Sequence, residues 1–148
     1  MAFRYPFQSI LRLRQSLERQ EEQRLFALAA TVARLRGQIE QWEETRREIR
    51  RVASQELIAG SSGATLQFAT LRDASAAKAQ ELLQRELVEA EKQRLLQLGV
   101  YQKARQKREI FERLRDRQEE IYKLAAARRE QEQADDSFLT RFIVKPSE

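Results

Sequence analysis

Between Leu25 and Ala53 an apolar side chain recurs every third or fourth residue: Leu25, Leu28, Val32, Leu35, Ile39, Trp42, Ile49 and Ala53, with Arg46 in the one remaining place. Alternating steps of three and four hold a narrow stripe on one side of an α-helix. A stripe this narrow is a coiled-coil seam, not the broader face that a helix turns toward a globular core. Such a helix needs a second one to cover it. Composition agrees, because 4 glycines and 2 prolines in 148 residues are too few chain breakers for a many-stranded fold. With 34% charged residues and only 7% aromatics, a compact globular core would also be hard to fill.

Backward from Leu25 the stripe reads through Glu21, Leu17, Arg14 and Ile10. Two successive four-residue steps there loosen the heptad, so the first turns are expected to pack less well. Loop composition occurs in one place, "IAGSSGATL", where Gly60, Ser61, Ser62 and Gly63 fall together between two helical patterns. The apolar pattern then resumes at Leu66, Phe68 and Leu71 and continues through Leu83, Leu87, Ala90, Leu95, Leu98, Tyr101, Phe111, Leu114 and Ile121, with Arg94, Arg105 and Arg108 at or near the seam.

Two long helices joined by so short a loop fold back on each other. The expected fold is all-α: a single long two-helix antiparallel coiled-coil hairpin, rod-shaped, with arms of roughly 50 residues and about 75 Å. Helix one is placed at about residues 7–58, the turn at 59–65, helix two at 66–136 and a tail at 137–148. In this register Glu18, Glu21 and Glu22 lie near Lys103, Arg105, Lys107 and Arg108, and Trp42 near Ala77, Ala79 or Leu82. Arg46, charged and on the seam, requires a carboxylate, which Asp73 or Glu81 supplies. Residues beyond about 120 have no opposite number and form an overhang, expected to fray near Asp135.

That overhang ends in Phe138, Leu139, Phe142, Ile143 and Val144, while Phe3, Tyr5 and Phe7 surround Pro6 at the same end of the hairpin. Burying each such side chain is worth about 1.5 to 3 kcal/mol, so something is expected to cover them. Two arrangements satisfy this: the clusters pack together as a plug, or both dock on another protein.

The chain has no cysteine and no histidine, which removes disulfides, thiol and imidazole catalysis and the usual zinc ligands. No pair of carboxylates is desolvated together, and "GSSG" lacks the strand and lysine of a phosphate loop. No enzyme activity, catalytic residue, metal site or cofactor is expected. Net charge is +5, and the basic run "QKARQKREIFERLRDR" is broken by Glu109, Glu112 and Asp116 with no interleaved stacking platform, so nucleic acid is not expected as a partner. The longest uncharged apolar stretch, "LFALAATVA", is far below the roughly 20 residues of a membrane span, and no apolar signal region follows the N-terminus. A cytoplasmic location is expected, with membrane association only through partners.

The opening "FRYPFQSILRLRQSLERQEE" resembles that of the FliJ-type flagellar export family, an aromatic stretch followed by Q-x-x-L-x-x-R-x-x-x-E, carried here by Phe3, Phe7, Gln8, Leu11, Arg14 and Glu18. The distal "ERLRDRQEEIYKLAAARREQEQADDSFLTRF" is similar to the family's C-terminal part, a charged helix running into an acidic pair and a short apolar tail, and the "KPSE" ending fits as well. The resemblance implies a component of the flagellar type III export apparatus: an antiparallel coiled coil like the central stalk of rotary ATPases. Such a stalk enters the pore of the hexameric export ATPase, couples it to the membrane export-gate protein and escorts export chaperones. Carried onto this chain, it implies ATPase contact through Phe3, Phe7, Leu11, Arg14, Phe138, Leu139 and Phe142. It implies gate contact through Ile39 and Trp42, with Arg46 standing where another aromatic would be expected. A virulence-type secretion or rotary-ATPase stalk shares the physics with different clients, and a structural or nucleic-acid-associated coiled-coil scaffold shares the composition.

Overall fold

The computed structural model describes residues 2–143. It is all-α, as predicted: helix α1 is Gln8–Ile58 and helix α2 is Gly63–Ile143, packed against each other as a helical hairpin. The turn between them follows from its side chains. Gly60 takes a left-handed φ of 83°, which costs glycine nothing. With Gly60 so placed, its amide donates to the Leu57 carbonyl at 3.2 Å and the Ser61 amide to that of Glu56 at 3.0 Å, the paired bonds of a Schellman stop. Ser62 then opens α2, its carbonyl accepting from the Thr65 amide at 3.2 Å and its hydroxyl meeting that of Thr65 at 3.1 Å.

Two compact units share these helices. One joins residues up to Glu18 to residues from Lys103 onward, and the other is Arg19–Gln102. In the Arg19–Gln102 unit the predicted stripe is the buried one: Val32 and Leu35 are buried, with Leu25, Leu28, Ile39, Ile49 and Ala53 half-buried. Across from them lie buried Ala76 and Gln80 and half-buried Leu83, Leu87 and Ala90.

Arg46 finds Asp73, not Glu81. Its Nε donates to Asp73 Oδ1 at 2.9 Å and its Nη2 to Oδ2 at 3.3 Å, a two-pronged grip, while Nη1 reaches Gln80 Oε1 at 3.1 Å. Gln80 passes the network on to Glu43 at 3.3 Å, so the buried amide is satisfied on both sides. Glu81 instead accepts from Arg85 on its own helix at 2.7 Å. The hydrogen bond from Arg46 holds the Asp73 carboxyl below the ordinary aspartate range, against an opposing push from burial. A carboxyl depressed on folding contributes fully above its unfolded value, about 3.9, and that contribution is lost as the pH falls through the lower folded value. An Asp73→Asn chain is therefore expected to be less stable than wild type at neutral pH, the gap narrowing below about pH 4. Urea unfolding followed by circular dichroism across pH reads this, and an equal gap at pH 3 and pH 7 would refute it.

The sequence phase before Leu25 needs correction. Leu11 is fully buried and Arg14, Glu18 and Glu21 are half-buried, whereas Ile10 and Leu17 are exposed. The heptad thus runs back from Leu25 without a slip, and its places at 14, 18 and 21 carry polar residues. Glu18 and Glu21 are tolerated because α2 answers them: Arg108 grips both oxygens of Glu18, and Gln97 donates to Glu21 at 2.5 Å. The α2 stripe is corrected in the same way. Leu95, Leu98, Leu114 and Ile121 are exposed, and the half-buried positions are Arg94, Gln97, Tyr101, Ala104, Arg108, Phe111, Arg115, Gln118 and Tyr122. Long side chains of this kind bury their stems and keep their heads at the water. The α2 helix also continues through Asp135 and Asp136 to Ile143, seven residues past the end drawn from sequence, because no glycine or proline stands between Val100 and Lys145 to stop it. Gly37 and Gly99 have nothing within 4 Å of a built Cβ, so no close approach accounts for either.

Candidate partner-binding surfaces

The N-terminal aromatics are built onto α2. Pro6 ends an extended lead-in and fixes the approach to α1, whose first bonds run from the Gln8 amide to Tyr5 and from the Leu11 amide to Phe7. Tyr5 is buried, and its hydroxyl donates to the Phe111 carbonyl at 3.0 Å, which fastens the lead-in to the other helix. Phe3 stacks on Tyr122 at 5.6 Å between ring centroids, and Phe7 meets Tyr5 edge-on at 5.9 Å.

Phe3 is half-buried and Phe7 is 42% exposed, so a partner can reach both. Leu11 is enclosed; its part is to hold the two helices together beneath that surface. Arg14 is half-buried, and its Nε is buried with no hydrogen-bond partner among the described residues, an arrangement that costs stability unless something else uses the side chain.

The distal cluster lies elsewhere. Phe138, Leu139, Phe142 and Ile143 are all exposed, with the Phe138 and Phe142 rings tilted against each other at 5.1 Å. Phe138 follows Tyr122 by 16 residues on one helix, about 24 Å at 1.5 Å per residue. The plug of the two clusters therefore does not form: Tyr5 is fastened to Phe111 and Phe3 lies against Tyr122, while Phe7 meets Tyr5. Val144 and the "KPSE" ending lie outside the described residues. From Ala127 to Ile143 every residue is exposed, so this stretch is a helix without a packed side.

In the Arg19–Gln102 unit, Trp42 lies at the rim of a shallow groove with Gln38, Gln41 and Thr45 on one side and Ala79, Leu82, Leu83 and Glu86 on the other. Trp42 is 36% exposed, Leu82 is open to solvent and Ile39 is half-buried. The small Ala79 makes room for the indole, as the register predicted.

The basic run is laced with carboxylates. Arg105 binds Glu109 at 3.0 Å, Arg115 binds Asp116 at 3.0 Å, and Arg108 sits among Glu18, Glu109 and Glu112. Among the described residues no helix is long and apolar enough to cross a membrane. Sequence reasoning missed Tyr122 as the seat of Phe3, since it was read within the overhang; its place on the heptad with Phe111, Arg115 and Gln118 was the available signal.

No curated protein and no solved structure matches the chain. A family model described as "Flagellar FliJ protein" matches residues 3–147 of the chain. The chain belongs to the flagellar FliJ protein family.

Proposed function

We propose that this component of the flagellar export apparatus acts without catalysis as the central stalk of the hexameric export ATPase. In this reading it couples the ATPase to the membrane export-gate protein and escorts export chaperones. It works in the cytoplasm, held at the inner membrane face only through those partners.

The observation that carries the reading is the pair of unspent apolar surfaces on residues 2–18 and 103–143. Phe3 and Phe7 are presented by a lead-in that Tyr5 and Leu11 fix in place, and Phe138, Leu139 and Phe142 stand on a helix with no packed side. Exposed aromatics on a rigid support suit insertion into a closely fitting protein pore, where each buried ring adds about 1.5 to 3 kcal/mol. Arg14 adds a cation whose Nε has no hydrogen-bond partner among the described residues, and an acidic group of the ATPase would complete it. The gate reads Ile39 and Trp42, whose indole borders an open groove.

Capture of the chain by the purified export ATPase tests this. Removing residues 136–148, or changing Phe3 and Phe7 together to alanine, is expected to weaken capture at least about tenfold in each case, the equivalent of losing one buried ring. Helicity should be retained, since none of these residues belongs to the buried seam. Unchanged capture of both variants would overturn the placement of the site, and absence of capture by the intact chain would overturn the stalk reading.

A further inference from the structure

Helix α2 carries a second heptad series beside its packed seam. Ile110, Leu114, Arg117, Ile121, Leu124, Arg128, Gln131, Asp135, Phe138 and Phe142 follow one another in alternating steps of four and three, and every one is exposed. Six of the ten are large and apolar. A lone helix has no use for this spacing, whereas a neighbouring helix does, because heptads keep a seam facing a partner along its whole length. Within this stretch the arm from Ala127 to Ile143 is exposed at every residue, so nothing among the described residues obstructs an incoming helix.

The polar members of the series say which helix fits. A copy of the segment laid parallel would stack Arg128 on Arg128 and Asp135 on Asp135 inside the seam, like charge on like. Laid antiparallel about an axis near Gln133, the same segment sets Leu124 against Phe142 and Gln131 against Asp135. Arg128 then lies over the Phe138 ring, with Asp135 of the second copy in the adjoining layer, a cation-π contact and an opposite charge in one place. The basic pair Arg128 and Arg129 and the acidic pair Asp135 and Asp136 stand on opposite sides of that axis, as a two-fold contact requires. Ala125, Ala127 and Ala134 border the series and let the backbones draw close.

We propose that residues 121–143 of α2 pair antiparallel with the same segment of a second copy of this chain. The pairing rests on the stripe and its charges alone and does not depend on the stalk reading.

The test uses the full chain in sedimentation equilibrium. Wild type is expected to pass from monomer to dimer with concentration. The pairs Arg128→Glu with Arg129→Glu, and Asp135→Lys with Asp136→Lys, are each expected to weaken self-association at least about tenfold, since attraction becomes repulsion on both sides of the axis. An equimolar mixture of the two variants is expected to recover a dimer containing one of each. All four positions are exposed, so circular dichroism should be unchanged.

Because the chain has no cysteine, single spin labels report direction. Labels at Gln133→Cys are expected within about 25 Å of each other, and those at Arg113→Cys about 60 Å apart, from 1.5 Å per residue along two opposed helices. A monomer at every concentration, a dimer indifferent to the charge reversals, or short distances at both labels would each overturn the proposal.

Discussion

Changing Leu35 to alanine lowers the unfolding free energy by about 2 to 5 kcal/mol, while changing Leu95 to alanine alters it by less than about 0.5 kcal/mol. The two residues are chemically the same and both lie in the Arg19–Gln102 unit. Leu35 retains 2% of its surface and Leu95 retains 64%. Truncating Leu35 removes three carbons from a place where neighbours close in, so the lost transfer energy is joined by the energy of a cavity. At Leu95 the same three carbons already stand in water. Since Leu35, Val32, Ala76 and Gln80 are the buried residues of this unit, the larger loss is a large fraction of what holds it. Urea unfolding monitored by helicity measures both, and similar losses in the two variants would refute the seam described for α2.

The second large effect comes from the charged part of the seam. Arg108 contacts Glu18 on α1 and Glu112 on its own helix, with side-chain exposures of 19% for the arginine and 14% for Glu18. The hydrogen bond it donates to Glu18 is the main reason the guanidinium is held above its ordinary value, so it stays charged throughout. Arg108→Leu strands Glu18 with little water to replace its partner, and the expected loss is about 1 to 3 kcal/mol, toward the lower figure because the site is not sealed. Combining it with Glu18→Leu removes the stranded group and joins two apolar side chains. The double variant is expected within about 1 kcal/mol of wild type, or above it, because an enclosed ion pair commonly adds little beyond an apolar pair of similar size. A double-mutant cycle supplies the test. Additive losses would show that the two residues do not act on one another.

Much of this architecture could be read directly from residues. The stripe from Leu25 to Ala53, the serine-glycine turn and the need of Arg46 for a carboxylate all followed from spacing and composition, because each had few physical solutions. The turns before Leu25 were misread for a specific reason. Ile10 and Leu17 looked like seam residues because they are apolar, yet the helix turns Leu11 and Glu18 inward in their place, beside Arg14 and Glu21, which the stripe had included. Hydrophobicity marks a seam only where the partner is also hydrophobic; here the partners are Arg108, which the sequence register had placed near Glu18, and Gln97, which it had not offered to Glu21. Leu95, Leu114 and Ile121 were drawn onto the α2 seam by the same bias.

The candidate surfaces were legible in part. Phe138, Leu139 and Phe142 were expected to lack partners within the hairpin and are exposed, and Trp42 meets Ala79 and Leu82 across its groove. The two aromatic clusters were expected together at one end, and they lie apart. Sequence could not show that Phe3 would settle on Tyr122, well short of the distal phenylalanines.

The seam of the unit that joins residues up to Glu18 to those from Lys103 sets the charges of Glu18, Arg108 and Glu112 beside buried Leu11 and Tyr5. Only the charged part of that grip answers to the surrounding electrolyte, and weakly, since dissolved counterions screen partly enclosed charges less than open ones. Raising the salt concentration therefore loosens this clasp slightly and leaves the leucines and valines elsewhere undisturbed.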